Sequence, residues 1–150
     1  MGKKRIIEKT EKELVEEKEK VEAAVKKEAK IEPSKAIKEG KVFISSSYNN
    51  TIISLSDLNG NILTWTSAGN IGFKGTKKST PFAASKVADA LIQRARKLGI
   101  EKIQVIVRGV GSGRDSAIRA FANRGMDIVS IEDVTPIPHN GCRPKKARRV

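Results

Sequence analysis

The chain has 150 residues, about one domain's worth, with 30 Lys and Arg against 17 Asp and Glu, a net charge of +13. That excess points to a polyanionic partner such as nucleic acid or an anionic surface. No apolar run approaches the roughly 18 residues of a membrane span, a single cysteine forms no internal disulfide, and one histidine beside it makes no structural zinc site.

The opening MGKKRIIEK has no apolar run behind its basic residues, so it does not read as a secretory signal. Ile6 stands where a myristoylation signal needs Ser or Thr. Residues 1–39 hold 12 cations and 10 anions, the near-neutral balance of a solvated, partly helical or disordered extension. Glu8/Lys12, Glu16/Lys20 and Glu22/Lys26 are helix-supporting pairs. Ile7, Leu14 and Val21 repeat every seven residues, too few for a coiled coil.

All six aromatics lie between 40 and 138: Phe43, Tyr48, Trp65, Phe73, Phe82 and Phe121. Only that segment can bury a core. Residues 41–47, 51–57 and 62–68 alternate apolar and small polar residues, the period of half-buried strands. Asn59-Gly60 predicts a type I′ hairpin turn. The Gly- and Lys-rich loop 69–82 follows, and Lys74, Lys77 and Lys78 within it suit contact with a nucleic-acid backbone. Thr80-Pro81 reads as an N-cap with proline at the first helical position. Ala84, Val87, Ala88, Leu91, Ala95 and Leu98 make an apolar helical stripe, closed by Gly99. In 100–109 the run Val105-Ile106-Val107 predicts a central strand covered on both faces. The segment 109–125 reads as a glycine turn and a second helix, and 126–134 as a fifth strand. The order β-β-β-α-β-α-β gives an α/β fold, a mixed five-stranded sheet with helices packed on it.

The glycine turn 109–114 opens a helix, where freed N–H groups can hold phosphate beside Arg114 and Arg119. A tight strand-to-helix turn explains the same glycines equally well. It is neither a dinucleotide fingerprint nor a P-loop, since Arg114 and Lys74 occupy positions that need glycine. His139 and Cys142 lie in a basic tail that offers no scaffold for nucleophilic catalysis. The carboxylates available to a metal nuclease are Asp57, Asp89, Asp115, Asp127, Glu132 and Asp133, mostly at element ends. A ribonuclease-H-like metal-dependent nuclease is the alternative reading. A free-standing single-strand binder needs exposed aromatics, and most of the six fall on expected core faces. Residues 139–150 carry five cations and no acid, a tail suited to threading between RNA helices. Asn140-Gly141 within it is a candidate for succinimide formation and conversion to isoaspartate, because Gly141 has no Cβ to hinder ring closure.

SYNNTI (47–52), GFKGTKKSTPFAA (72–84), GSGRDSAIRA (111–120) and DVTPIPHNGCRPKKARRV (133–150) together resemble the bacterial small-subunit ribosomal protein eleven family. The resemblance covers residues 40–150, with four motifs in order. It implies a ribonuclease-H-like α/β domain without enzymatic activity or cofactor, working in the cytoplasm. It also implies binding to small-subunit ribosomal RNA on the platform, beside the messenger RNA (Shine-Dalgarno) exit cleft. Small-subunit proteins seven and eighteen would be neighbours, with initiation factor three nearby. The chain differs from the family in having Val110 and Ser112 where prolines are usual, and a charged extension in place of a short basic arm. On this reading residues 40–138 form the RNA-binding domain and 139–150 the RNA-binding tail. The expected contacts are Tyr48, Asn49, Asn50, Lys74, Lys77, Lys78, Arg108, Ser112, Gly113, Arg114, Arg119, His139, Asn140, Arg143, Lys145, Lys146, Arg148 and Arg149.

Overall fold

The structure, a computed structural model, describes residues 38–143 and 145–146. Apart from Lys38 and Glu39, the extension lies outside the described residues, as do Arg148 and Arg149. The strands are β1 (Glu39–Ser46), β2 (Thr51–Ser56), β3 (Ile62–Ser67), β4 (Lys102–Arg108) and β5 (Asp127–Asp133). Helix α1 (Pro81–Lys97) joins β3 to β4, and α2 (Arg114–Asn123) joins β4 to β5. The sheet order is β3-β2-β1-β4-β5. β2 pairs antiparallel with β1 and β3, while β4 pairs parallel with β1 and β5. The sheet is therefore mixed and five-stranded, with the element order that the periodicities indicate.

Local chemistry sets the helix ends. The Ala83 N–H donates to Thr80 Oγ1 at 3.2 Å, and Pro81 takes the first helical position. Both helices end on a left-handed glycine, Gly99 at φ +80 and Gly125 at φ +74. Beyond each glycine, the next N–H reaches back into the last turn, from Ile100 to Ala95 O at 3.0 Å and from Met126 to Phe121 O at 3.3 Å. Thr80→Ala removes one acceptor from an otherwise intact start to α1. We expect a loss of about 1 kcal/mol in chemical denaturation, with Thr80→Ser close to the parent; an unchanged Thr80→Ala midpoint would refute the cap.

The Asn59-Gly60 turn differs from the expected type I′ form. That form needs positive φ at both residues, and only Gly60 has it, at +96. Instead the Gly60 N–H donates to Asp57 O at 3.3 Å, and the Asp57 N–H to Asn61 O at 3.0 Å. Asp57 further holds the Asn61 N–H on Oδ1 and the Asn61 amide on Oδ2, each at 2.9 Å. These carboxylate bonds, which are specific to Asp57 and Asn61, favour a three-residue loop with a left-handed glycine.

One face of the sheet carries the core. Val42, Ile44, Ile53, Leu55, Ile103, Val105 and Val107 point to it and meet the apolar stripes of α1 and α2. Both helices lie on this face and pack against each other. Each crossover steps in the same direction along the sheet, so right-handed connections place both helices on one side. Among the described residues no helix or strand covers the opposite face. Ile106 is only half-buried there, so β4 is not covered on both faces as its apolar run suggested. The aromatics also depart from expectation. Phe121 is buried and Phe73 packs at the core edge, but Phe43, Tyr48, Trp65 and Phe82 are exposed. The argument from core aromatics against single-strand binding therefore fails.

Candidate nucleic-acid interface

β1, β3, β4 and β5 all run in the same direction, so the segments that follow them emerge at one end of the sheet. These are loop 47–50, loop 68–80, the glycine turn 109–113 and the tail from Val134. Sequence motifs that are far apart in the chain become neighbours through this topology alone.

Hydrogen bonds fasten the four segments together. The Gly111 N–H donates to Ser46 O at 3.0 Å, and the Ala68 N–H to Thr51 O at 3.1 Å. Ser112 Oγ donates to Ser79 O at 2.7 Å, joining the glycine turn to the lysine loop. The Gly109 N–H donates to Thr135 Oγ1 at 3.0 Å, and the Val134 N–H to Val107 O at 2.9 Å, anchoring the root of the tail.

Loop 47–50 is a tight turn around Ser47. Its Oγ accepts from the Asn50 N–H at 3.1 Å, and its N–H donates to Asn50 O at 2.9 Å. Tyr48 and Asn49 stand exposed at the tip, while Asn50 is half-buried. The lysine loop is more ordered than its glycines suggest. Gly75–Ser79 form a 3-10 turn that runs into the Thr80 cap, with Lys74 and Lys77 exposed and Lys78 half-buried. Arg108 is exposed at the end of β4, on the open face. Arg119 lines a groove of about 540 Å³ between α1 and α2, beside Ser85 and Ser116.

The glycines of the turn 109–113 serve close packing against β1 and β2. Gly113 is buried, and a Cβ there would lie 2.5 Å from Thr51 Oγ1 and 2.7 Å from Ala84 Cβ. Its role is close packing, and it offers no exposed surface for RNA. Arg114 is already engaged: it donates to Asp133 Oδ2 at 2.7 Å and to Gly109 O at 3.4 Å. It fixes the turn against β5, so a charge reversal there disturbs the turn as well as any anion held on it.

Asp133 is the centre of this latch, a role not apparent in the sequence. Its Oδ1 accepts from Thr135 Oγ1 at 2.6 Å and from the Thr135 N–H at 3.0 Å. The Thr135 hydroxyl, then Arg114, lower the Asp133 carboxyl from 3.8 to about 2. A depressed carboxylate contributes stability that is full above its unfolded value and lost as pH falls through its folded value. The latch should therefore hold above pH 3.8 and open as pH falls towards about 2. Carboxyl titration by NMR should place the Asp133 midpoint near 2, and a midpoint near 3.8 would show that the latch does not form.

In the tail, His139, Asn140, Arg143, Lys145 and Lys146 are exposed. Asn140 has φ 54, a left-handed conformation that Asn tolerates. The carboxylates considered for metal chemistry lie apart. Asp57 sits in the far hairpin, Asp133 is latched to Arg114, and Asp89 pairs with Arg124 at 2.8 Å. Among the described residues no three His, Cys, Asp or Glu come together as metal ligands, and no helix is long and apolar enough to cross a membrane.

The family profile described as Ribosomal protein S11 matches residues 40–149. A small ribosomal subunit protein uS11 of Treponema pallidum (strain Nichols) is 53% identical over 116 residues, covering 77% of this chain and 92% of that protein. One of Borreliella burgdorferi (strain ZS7) is 55% identical over 114 residues, covering 76% and 88%. Both alignments span most of the relative, and the profile takes in the sheet, both helices and all four segments of the loop end. The chain belongs to the ribosomal protein S11 family.

Proposed function

We propose that the chain is a structural protein of the small ribosomal subunit, not an enzyme, that binds ribosomal RNA through the loop end of its sheet. The convergence of four segments at that end carries the reading. It gathers Lys74, Lys77, Lys78 and Arg108 around the root of a tail bearing Arg143, Lys145 and Lys146. Cations on a rigid rim set register on RNA, and cations on an extended tail reach further phosphates. Family membership supports a place on the platform of the subunit, in the cytoplasm, beside the messenger exit cleft. Small-subunit proteins seven and eighteen are the neighbours on this reading, and initiation factor three docks nearby. Tyr48, Asn49 and Asn50 add polar and stacking groups at the rim, and Arg119 extends it along α2. His139 and Asn140 meet RNA where the tail leaves the domain. Asn140-Gly141 is also the tail's site for succinimide formation.

Footprinting of small-subunit RNA with the full chain tests the reading. Replacing Lys74, Lys77 and Lys78 with Ala should remove protections at one RNA site and lower the log–log salt slope by about 2 to 3 units. Protections and slope that survive the triple substitution would remove the lysine loop from the interface. Absence of any protection by the parent chain would overturn the reading itself.

A further inference from the structure

The face of the sheet turned away from the helices is apolar at its middle and balanced in charge at its border. The register aligns Trp65 on β3, Ser54 on β2, Phe43 on β1, Ile106 on β4 and Glu132 on β5 in one row. The next row towards the loop end is Ser67, Ile52, Ser45 and Arg108. Trp65 is 51% exposed, Ile52 40% and Phe43 39%, and Ile106 adjoins them half-buried. At the other end Glu39, Lys102 and Asp127 share a row in alternating charge. Against the acids Glu39, Asp127 and Glu132 the strands set Lys41, Lys102 and Arg108 on this face. Lys102 pairs with Glu39 at 3.8 Å, and Lys41 Nζ donates to Leu58 O at 3.1 Å. A partner of one strong charge would find no net attraction here. An apolar stripe flanked by both signs of charge would.

The chain carries such a stripe, tethered beside the face. β1 is the middle strand of the sheet, and residues 1–37 join it through Lys38. The Lys38 carbonyl accepts from the Glu101 and Lys102 N–H groups at 3.1 and 3.2 Å, which fixes the tether at the centre of the charged row. Phe43 lies about 13 Å further up β1. At about 100° per residue on a helix, Ile7, Leu14, Val21 and Val25 fall within about 40° of one another. A helix over 14–31 is about 27 Å long, and the eight residues of β1 span about 26 Å. Pro33 separates the stripe from the tether and lets the chain reverse there. The extension's 12 cations and 10 anions match the balanced border. The family match begins at residue 40, so the stripe is outside the domain that the family shares.

We propose that residues 1–37 fold back as an amphipathic helix on this face, with Leu14, Val21 and Val25 packed against Phe43, Ile52 and Trp65. The extension thereby shields exposed rings that would otherwise draw other chains together. The loop end stays clear for RNA, because the tether lies at the opposite end of the sheet.

Trp65 is the single tryptophan of the chain, so its emission reports on this face alone. In the full chain we expect blue emission that is protected from acrylamide and independent of concentration. Leu14→Ser, Val21→Ser and Val25→Ser together should shift the docking equilibrium more than about tenfold towards water-exposed, freely quenched emission. Glu16→Ser, Glu19→Ser and Lys27→Ser lower helix propensity on the far side of the same helix, and should leave most of the protection in place. Probed from the other partner, Phe43→Ser should speed tryptic cleavage at Lys20 and Lys26 by about the same factor, because cleavage follows the open population. Melting curves identify any variant that has lost its fold, and the stripe variant, which leaves the core untouched, keeps the test valid if Phe43→Ser does. Water-exposed emission in the parent overturns the proposal, as does equal loss of protection in the two triple variants. Protection that survives the stripe substitutions also overturns it: a second copy covers the face if the protection fades on dilution, and another part of the chain covers it otherwise.

Discussion

Gly109→Ala should lower the melting temperature by about 10 to 20 °C, the largest effect expected of any single substitution at the loop end. Gly109 has φ +100, far from any conformation an alanine adopts readily. A Cβ there would also lie 2.2 Å from Ser46 O and 3.1 Å from the Ser46 carbonyl carbon. Backbone cannot swing aside as a side chain can, so β1 and the turn would have to separate. Left-handed strain contributes about 1–2 kcal/mol and the forced packing about 1–3 kcal/mol. For a domain near 100 residues, each kcal/mol moves the midpoint by about 4–8 °C. Two controls separate the causes. Gly60→Ala meets nothing within 4 Å at φ +96, so it should show strain without the clash. Gly69→Ala has no positive φ and only Ser67 Oγ at 3.8 Å, so it should stay within about 0.5 kcal/mol of the parent. A Gly109→Ala midpoint no lower than that of Gly60→Ala would mean that the approach of the turn to β1 is looser than described. Otherwise the loss should extend to RNA binding, because the displaced turn carries the Ser112 bond to the lysine loop and the Thr135 bond to the tail.

The features legible in the sequence are those whose cause is local. Strand alternation, the apolar stripe of α1, the Thr80-Pro81 cap and the terminal glycines each depend on residues within a few positions of one another. The hairpin turn was read correctly in place and wrongly in type, because Asp57 and Asn61 outside the Asn-Gly pair decide it. The open face was not legible. An apolar run such as Val105-Ile106-Val107 does not say which side a helix takes. That follows from strand order, which places both crossovers on one side. The same cause hid the exposure of Phe43 and Trp65, whose alternation is correct but whose facing layer is absent among the described residues. At the site, basic residues mark the loops, yet only the fold shows which are engaged. Arg114 and Asp133 are 19 positions apart and meet because α2 returns the chain beside β4. Gly113 looked like part of a phosphate cradle, and the strand beneath it, with Thr51, makes it a packing residue.

Removing residues 143–150 should lower the log–log salt slope of RNA binding by about 3 to 4 units. The segment holds five cations, Arg143, Lys145, Lys146, Arg148 and Arg149, and no acid. Each phosphate neutralised contributes about 0.7–0.9 to the slope through released counterions. Between 50 and 200 mM salt, a slope of that size corresponds to about a hundredfold change in affinity. The tail should thus add most of its affinity at low salt, with the truncated chain nearer the parent at high salt. The fold should not change, since the described tail residues are exposed and the latch at Thr135 lies before the cut. That separation makes the slope a clean reading of phosphate contact. The measurement is filter binding of a small-subunit RNA fragment over a salt series, for both chains at one pH. Parallel slopes with weaker binding would assign the tail a role in shape recognition, and coincident curves would remove it from the interface. A difference of only about 1 unit would mean that one tail cation meets phosphate while the others stay in solvent. The loop-end lysines would then be the main source of salt dependence, and their triple substitution should account for most of the parent slope.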